Sequence, residues 1–252
     1  MTFADDVRRM KIQSATTIAV MSLKHLKKSR NPRKEAKALL MARPTAVVLR
    51  NALDRAGKTG IDRTIAELEA SRNKASKNFL AFISKRCRKK SLTVLTHCHS
   101  TLVADAVAEL KRKYRLHVIV TETRPRNQGL LTLRELSKKG VKTTYIVDSA
   151  VAPFMKSADF VLVGADALRK EGVVNKIGTY PLAVFSKEMK KPFYVVSTSF
   201  TEDRRKNIVM EERTAAEVLR KRIRGVSVRN PAFDITPWKY VTACITDRGA
   251  SK

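Results

Sequence analysis

The sequence predicts an α/β protein, with an N-terminal helical domain followed by a domain built on a parallel sheet. Residues 1–88 place apolar side chains at helical spacing and contain no strand pattern. After residue 91, short apolar runs rich in β-branched residues alternate with helical stretches, a pattern typical of a parallel sheet covered on both faces. We therefore expect one domain over residues 1–88 and a second over residues 91–252, joined by an exposed charged linker at 85–90. The alternative for this charged run is a phosphate or RNA contact.

Four helical segments are predicted in the N-terminal domain. They cover residues 3–28, 36–42, 45–56 and 61–83. Pro32 breaks the first segment, and Pro44 starts the third, which we expect Gly57 to close.

Five strands and four helices are predicted in the second domain. The strands cover residues 92–95, 116–120, 143–147, 160–163 and 193–196, and the helices 101–114, 130–139, 150–156 and 178–190. Ligands of such sheets bind beyond the carboxyl ends of the strands, so the polar residues that follow each strand indicate the site. Four polar clusters, at 96–100, 122–126, 148–149 and 164–166, are expected to line one rim. Within them, Glu122 and Asp148 are alternatively helix caps or structural partners of Arg124 and Arg126.

Cys98 lies in the first polar cluster, between His97 and His99. Ser100 follows as the expected N-cap of a helix. A helix N-terminus or a neighbouring imidazolium can lower the pKa of a thiol, which would make Cys98 reactive. The alternative is a buried structural cysteine at the end of a strand.

Composition limits the classes of function. The chain of 252 residues is 43% hydrophobic, enough for a packed core, and no apolar run approaches the length of a membrane span. Its three cysteines are widely spaced and indicate neither a disulfide framework nor a zinc site, which favours a reducing cytosol. The net charge of +29 favours RNA, anionic metabolites or acidic proteins as partners; the alternative is a solvated basic surface. No GxGxxG or Walker A sequence indicates a nucleotide-binding fold of those classes.

The residues that follow two different strands suggest proton-transfer chemistry. Cys98 and Asp166 could face each other across a pocket as a base and an acid, provided that the surroundings separate their pKa values. We expect partial burial to raise the pKa of Asp166 enough to keep its carboxyl group protonated near neutrality. Residues 172–179 then offer an amide, a lysine, small residues and a helix start, which suit a phosphate or sugar hydroxyls. Alternatively, Asn175 and Lys176 form a loop salt bridge or a cap.

Seven motifs in register make the sequence similar to a known family. They are THCHS at 96–100, TETRPRNQG at 121–129, VDSA at 147–150, GAD at 164–166, NKIGTY at 175–180, KPFYVV at 191–196 and NPAFDITP at 230–237. In this order they resemble the translation initiation factor 2B alpha/beta/delta superfamily, which includes archaeal ribose 1,5-bisphosphate isomerase and methylthioribose-1-phosphate isomerase. The resemblance covers nearly the whole chain, including ARPTAVVLRNAL at 42–53, and it implies a Rossmann-like C-terminal domain.

The isomerases of this superfamily convert an aldose 1-phosphate into a ketose 1-phosphate with a cysteine and an aspartate. The resemblance implies Cys98 as the base and Asp166 as the acid, and it favours the ribose 1,5-bisphosphate isomerase branch. The positions that match substrate-binding residues are Arg43, Ser100, Asn175 and Lys176. No cofactor and no metal site is predicted.

The resemblance also implies at least a homodimer through the C-terminal domain. We expect the apolar residues near 226–245 to carry the interface. The aromatic, proline-containing segment 226–238 is either an interface anchor or a local lid on the core.

The sequence departs from the isomerase pattern at the phosphate loop. The isomerases carry an Arg-Gly-Ala-Gly type loop near the N-terminus, where this chain has Gln-Ser-Ala-Thr at 13–16. A lysine expected after the KPFYVV strand is also replaced, in the region 197–201. Lys11, Arg8 or Arg204 are candidates to compensate for the lost phosphate contacts.

Two hypotheses of different classes follow. The first is a cytosolic sugar-phosphate isomerase, which the pair of Cys98 and Asp166 favours. The second is a non-catalytic regulatory protein of the initiation factor 2B type that binds partners in translation, with RNA or a translation factor on its basic surface. The departure at 13–16 and the net charge favour this second hypothesis.

Overall fold

The computed structural model describes residues 2–9, 14–207 and 210–251, and five helices precede the first strand in this part of the chain. They are α1 (Phe3–Arg8), α2 (Ala15–Lys27), α3 (Pro32–Ala42), α4 (Val47–Thr59) and α5 (Ile61–Arg86). The segment 3–28, predicted as one helix, therefore contains two. Gly57 lies inside α4 and does not close it; Gly60 does, with a φ of 88° and its N–H donated to the carbonyl of Ala56.

The start of α3 shows how local chemistry sets a helix boundary. Oδ1 of Asn31 accepts the N–H of Lys34 at 3.3 Å, and Pro32 occupies the first helical position, where its missing N–H costs nothing. The helix therefore begins four residues before the predicted start at residue 36.

Ten strands and four further helices make up the rest of the described chain. The strands are β1 (Ser91–Thr96), β2 (Arg115–Thr121), β3 (Lys142–Ile146), β4 (Phe160–Val163), β5 (Ala167–Leu168), β6 (Gly172–Lys176), β7 (Phe193–Val196), β8 (Phe233–Pro237), β9 (Ala243–Thr246) and β10 (Gly249–Ser251). The helices are α6 (Thr101–Lys111), α7 (Gly129–Lys138), α8 (Val151–Met155) and α9 (Thr179–Glu188).

Seven of these strands form the central sheet, in the order β10-β9-β7-β4-β1-β2-β3. All neighbours pair in parallel except β9 and β10. The predicted α/β class with a largely parallel sheet is thereby confirmed. No helix in the described residues is long and apolar enough to cross a membrane.

The inner strands of the central sheet are buried on both faces, and β4 and β7 are apolar at every position. Val94 shares a buried cluster with Phe79 of α5 and Val107 of α6, whereas Leu95 packs on the opposite face with Met155 of α8. The C-terminal half of α5 therefore belongs to the core of the sheet. The division of the chain into two domains stays a prediction.

A second, antiparallel sheet of β5, β6 and β8 lies beside the central one. The sequence predicts a ligand-holding loop at 172–179, but residues 172–176 form β6, because β8 supplies a strand partner from some sixty residues later. Phe233 packs with Val174 and with Val47 of α4. Nε1 of Trp238 donates to the carbonyl of Arg169 at 2.8 Å. These aromatic residues thus cover the chain's own core, as expected of a local lid.

Candidate active site

A cavity beyond the carboxyl ends of β1 and β4 brings together every residue that the sequence predicts for the site. These residues are Arg43, Cys98, Ser100, Asp166, Asn175 and Lys176. The wall also contains the first residues of α2 and the polar residues that follow β7. Three charged residues that the sequence did not single out as ligands lie there too: Arg126, Glu211 and Arg213.

Two hydrogen bonds hold the backbone of Cys98, one at its N–H and one at its carbonyl. Its N–H donates to Oγ1 of Thr123 at 2.9 Å, and its carbonyl accepts from Oγ1 of Thr132 at 2.9 Å. Cys98 has a φ of 69° and Thr123 a φ of 59°, a left-handed conformation that is uncommon for non-glycine residues and rare for a β-branched one. Both residues are therefore in strained backbone conformations that their surroundings enforce, as is frequent at functional sites.

Burial raises the pKa of the Cys98 thiol to about 12, and the nearby carboxylate of Asp166 adds to the increase, while Lys176 opposes it. Of the two alternatives for Cys98, a thiol with a lowered pKa is therefore not the one that the structure favours. The reason is that the helix N-terminus and the flanking histidines provide too little positive charge to offset the loss of solvation.

His97 cannot act as the expected imidazolium. In the neutral ring, Nε2 donates to the carbonyl of Ile177 at 2.9 Å, because a carbonyl can only accept, and Nδ1 accepts the proton of the Thr121 hydroxyl at 2.7 Å. Burial lowers the pKa of this ring, which keeps it neutral. Gly178 lies against the ring, where an added Cβ would be 3.0 Å from Nε2. Burial likewise lowers the pKa of His99.

Asp166 follows β4 and is fixed by its backbone. Its N–H donates to the carbonyl of Val174 at 2.9 Å, so β6 positions it at the cavity wall. Burial raises the pKa of its carboxyl group to about 6, although Arg43 and Lys176 oppose the increase. The predicted direction is confirmed, but at pH 7.5 the carboxyl group is still mostly ionised.

Arg43 is a buried arginine of the wall whose guanidinium keeps unused donors. It is 7% exposed, and its Nε and Nη1 make no hydrogen bond within the described residues. Its closest carboxylate is that of Glu211, with Oε2 3.5 Å from Nε. A buried guanidinium with unused donors is costly unless an anion completes its hydrogen bonds, so this residue indicates an anion site.

The other arginines of the wall are neutralised by acidic residues. Nη2 of Arg213 lies 2.7 Å from Oε1 of Glu217, and Nη1 of Arg126 lies 3.0 Å from the same oxygen. These arginines hold the pKa of Glu217 at about 2. Arg213 also contacts Glu211 at 2.8 Å. The ion pairs tie the segment 211–217 to the cavity. Among the described residues of the wall, they leave Arg43 and Lys176 as the available cations.

Two helix N-termini open into the cavity. Ser14, before α2, and Thr101, at the start of α6, lie in the wall, and their hydroxyl oxygens are 3.0 Å apart. Ser100 caps α6 by accepting the N–H of Val103, as predicted. Gln13 is the first residue of the segment 13–16, which stands where the isomerases have their phosphate loop, and it lies outside the described residues.

Hydroxyl groups occupy the place of the lysine expected at 197–201. Ser197 and Thr201 line the cavity, with their hydroxyl oxygens 2.7 Å apart. Of the predicted substitutes for the lost phosphate contacts, Arg204 is 89% exposed and Arg8 pairs with Asp5 at the surface. Lys11 lies outside the described residues.

Asp148, in the polar cluster at 148–149, has a structural role. Oδ1 and Oδ2 of Asp148 accept the N–H groups of Thr123 and Arg124, each at 2.8 Å. Asp148 therefore clamps the loop after β2 and holds Thr123 beneath the N–H of Cys98. This agrees with the structural alternative for Asp148, although it bonds the backbone of Arg124 and not its side chain.

Comparison with known proteins decides the family. The sequence model of the Initiation factor 2 subunit family matches residues 4–252. This chain belongs to that family. The prediction from its seven motifs is thereby confirmed.

The named relatives in this family include isomerases. The chain is 34% identical to the ribose 1,5-bisphosphate isomerase of Archaeoglobus fulgidus, over 98% of this chain and 88% of the relative. It is 37% identical to the methylthioribose-1-phosphate isomerase of Acetivibrio thermocellus, over 82% of this chain and 71% of the relative. Among solved structures, it resembles the Pyrococcus horikoshii OT3 translation initiation factor eIF-2B with a TM-score of 0.82 and 27% identity, covering 98% of this chain and 94% of the other.

Proposed function

We propose that this protein is a sugar-phosphate isomerase that converts an aldose 1-phosphate into a ketose 1-phosphate, with ribose 1,5-bisphosphate as the first candidate substrate. One observation carries the proposal: Cys98 and Asp166 line the same cavity as the buried, incompletely bonded Arg43. A thiol and a carboxyl group supply the two proton-transfer groups that the reaction needs, and the arginine supplies a partner for phosphate. The isomerase names of the relatives support the same class of reaction.

Arg43 is proposed as the main phosphate ligand. Its unused Nε and Nη1 donors suit a bidentate contact with phosphate oxygens. The N-termini of α2 and α6 add backbone N–H groups and a favourable dipole, which compensate for the lost Arg-Gly-Ala-Gly loop. Lys176, Asn175 and Ser100 are proposed to complete the contacts to the substrate.

The reaction moves one hydrogen between C2 and C1 of the sugar and requires no oxidant or reductant. The phosphate on C1 blocks spontaneous ring opening, so a proton donor must assist the departure of the ring oxygen. A base then takes the proton from C2 and returns it to C1, while the hydroxyl group on C2 gives its proton back to the first donor as the C2 carbonyl forms. Two groups that exchange protons on either side of the sugar are sufficient for these steps.

The protonation states in the cavity favour a different division of roles from the one that the resemblance implies. With pKa values of about 12 for Cys98 and about 6 for Asp166, the thiol and the carboxylate are the stable forms at neutral pH. Using Cys98 as the base and Asp166 as the acid requires the opposite state, which costs on the order of 8 kcal/mol. This free energy is an upper limit, because both side chains are partly open to the cavity. We therefore assign Cys98 as the proton donor to the ring oxygen and Asp166 as the acceptor of the proton from C2.

Turnover of defined substrates tests the proposal. Ribose 1,5-bisphosphate and methylthioribose 1-phosphate are incubated separately with the protein, and the ketose product is followed by NMR. We expect Cys98→Ser and Asp166→Asn each to reduce turnover by about 10²- to 10⁴-fold. Cys87→Ser is the matched control, since Cys87 lies outside the cavity wall and should keep full activity. No turnover of either substrate by the folded protein would contradict the proposal.

A second candidate function is that of a non-catalytic regulatory protein in translation. Two observations favour it: the similarity to the structure named as translation initiation factor eIF-2B, and the absence of the Arg-Gly-Ala-Gly type sequence at 13–16. Turnover separates the candidates: a protein that binds sugar phosphates without converting them has the second function.

We also propose that the chain forms at least a homodimer through its C-terminal part. The segment that precedes β8 exposes Val218, Ile223 and Val226 by 41%, 54% and 49%. These three aliphatic side chains are exposed apolar candidates for a surface that another chain covers. Four exposed cations, Arg220, Lys221, Arg222 and Arg224, lie among them. Phe233 and Trp238 belong to the segment 226–238, for which an interface anchor and a local lid are the alternatives, and they contribute mainly to the chain's own packing.

A further inference from the structure

The turns that lead from a helix into a parallel strand of the central sheet are almost uniformly cationic. They are the five turns α5–β1, α6–β2, α7–β3, α8–β4 and α9–β7, and they meet at the amino edge of the sheet, opposite the cavity. They cover residues 85–90, 111–115, 138–142, 156–159 and 187–191. Together they contain sixteen Lys and Arg residues and two acidic residues, Asp159 and Glu188.

The carboxyl edge of the same sheet has the opposite balance. The segments there cover residues 97–100, 122–128, 147–150, 164–166 and 197–203, and they contain five acidic residues and two arginines. A protein that is basic merely by average composition would distribute its charge evenly over both edges. The asymmetry therefore points to a property of the amino edge itself.

Helix stability explains only part of this charge. Cations in the last turn of a helix interact favourably with its dipole, which accounts for Lys85, Arg86, Lys111, Lys138 and Lys187. Another four have partners in the chain: Lys89 with Asp159, Arg112 with Glu109, Lys139 with Asp105, and Lys191 with the carbonyl of Lys156.

Seven exposed cations remain that neither the last turn of a helix nor a hydrogen-bond or ion-pair partner explains, although Nζ of Lys113 lies 5.8 Å from the ring centroid of Tyr114. They are Arg88, Lys90, Lys113, Arg115, Lys142, Lys156 and Lys190. None of them forms an ion pair with a carboxylate in the described part of the chain. Seven like charges on one edge repel each other, a cost that a bound polyanion would remove.

These seven cations precede neighbouring strands and so form a continuous row. The strands lie in the order β3-β2-β1-β4-β7, and the N–H of Arg115 bonds the carbonyl of Lys90 directly. Five strands at a spacing of about 4.8 Å span roughly 20 Å. One strand of a nucleic acid duplex carries about six phosphates over that length, because its phosphates lie about 3.4 Å apart along the axis. The row therefore matches a phosphate backbone in both length and density of charge.

We propose that this amino edge binds the phosphate backbone of a nucleic acid, independently of base sequence. Base stacking is not part of the proposal, because Tyr114, the one aromatic residue of the five turns, is 4% exposed. Phosphate contacts fix position but carry no sequence information, so binding should depend steeply on salt and little on sequence. A second copy of the chain is an unsuitable partner for this edge, since two such rows would repel.

The test compares two variants of equal net charge by fluorescence anisotropy with labelled duplexes of about 20 base pairs, one RNA and one DNA, in two sequences each. The edge variant combines Arg88→Gln, Lys90→Gln, Arg115→Gln and Lys142→Gln. The control variant combines Arg33→Gln, Lys34→Gln, Lys37→Gln and Lys77→Gln, four exposed cations of α3 and α5. Urea unfolding checks that both variants are folded.

For seven phosphate contacts, the logarithm of the affinity should fall with the logarithm of the KCl concentration with a slope of about −6. The edge variant should show a slope of about −3 and at least about tenfold weaker binding at 100 mM KCl, whereas the control variant should behave like the wild type. A preference for RNA or for DNA would identify the source of the backbone, and equal binding would show that phosphate alone is recognised; both support the proposal.

Three outcomes would overturn it. The first is an equal loss of binding in both variants, which would make net charge the cause. The second is an absence of salt-dependent binding by the wild type. The third is that the edge variant loses binding to phosphatidylserine vesicles but keeps its affinity for both duplexes, which would assign the edge to a membrane surface.

Discussion

The substitution Asp166→Asn should stabilise the protein at neutral pH, even though we expect it to remove activity. The folded state raises the pKa of this carboxyl group from 3.8 to about 6, chiefly by burial. Folding is therefore most favoured while the group is protonated, below about pH 4, and stability is lost as the pH rises through 6. A difference of about two pKa units corresponds to about 3 kcal/mol of unfolding free energy above pH 7. The neutral amide of Asn avoids this cost at any pH.

Urea unfolding followed by circular dichroism measures the effect. At pH 7.5 the variant should gain up to about 3 kcal/mol over the wild type, and at pH 4 the gain should largely vanish. Asp54→Asn is the matched control, because it makes the same chemical change at an exposed position on α4. It should leave the unfolding free energy within about 0.5 kcal/mol of the wild type at both pH values.

The pH dependence is the decisive part of this experiment. If Asp166→Asn destabilises the protein at pH 7.5, the carboxylate makes net favourable contacts in the cavity and the argument from burial is wrong. A gain that is equal at both pH values would also contradict it, because the cause would then be packing and not ionisation.

Three further predictions concern the cavity and the assembly. The alkylation rate of Cys98 by iodoacetamide should still rise about tenfold per pH unit between pH 9 and 11, as expected for a thiol pKa of about 12; a plateau above pH 9 would contradict the effect of burial. Arg43→Lys should weaken the binding of inorganic phosphate by about tenfold or more in calorimetry, because a lysine cannot reproduce the bidentate contact; unchanged affinity would place phosphate elsewhere. Light scattering should give at least about twice the chain mass of 28.3 kDa, and Ile223→Glu should shift it to one chain mass if the exposed aliphatic segment forms the interface.

The parallel sheet could be predicted from sequence because its signal is local. The apolar runs that became β4 and β7 have the predicted bounds, Phe160–Val163 and Phe193–Val196. Their burial on both faces requires apolar residues at every position, which is visible in a single short window. In contrast, Gly172–Lys176 becomes a strand only because it pairs with Phe233–Pro237, and no window around residue 172 contains that partner.

The members of the site could be predicted better than its electrostatics. All six predicted residues line one cavity, because the motifs that carry them follow strands of one sheet or are recognisable as family positions. The sign of the pKa shift of Cys98 could not be predicted, because it depends on how much protein surrounds the thiol. The ion pairs of Arg213 were also missed, since the segment around it has no periodic pattern that would indicate a place in the fold.

The hydrogen bonds that hold Cys98 explain why the sequence change at 13–16, in place of the phosphate loop, need not disturb the proton-transfer groups. The position of the thiol depends on Asp148, which fixes the strained Thr123, which in turn accepts the N–H of Cys98. None of these bonds involves the segment 13–16. Different parts of the chain thus build the proton-transfer groups and the proposed phosphate contacts. A change in the phosphate contacts can therefore alter the affinity for substrate without disturbing the geometry of the proton-transfer groups. On this argument the departure at 13–16 should appear in the Michaelis constant for a sugar phosphate more than in the turnover number.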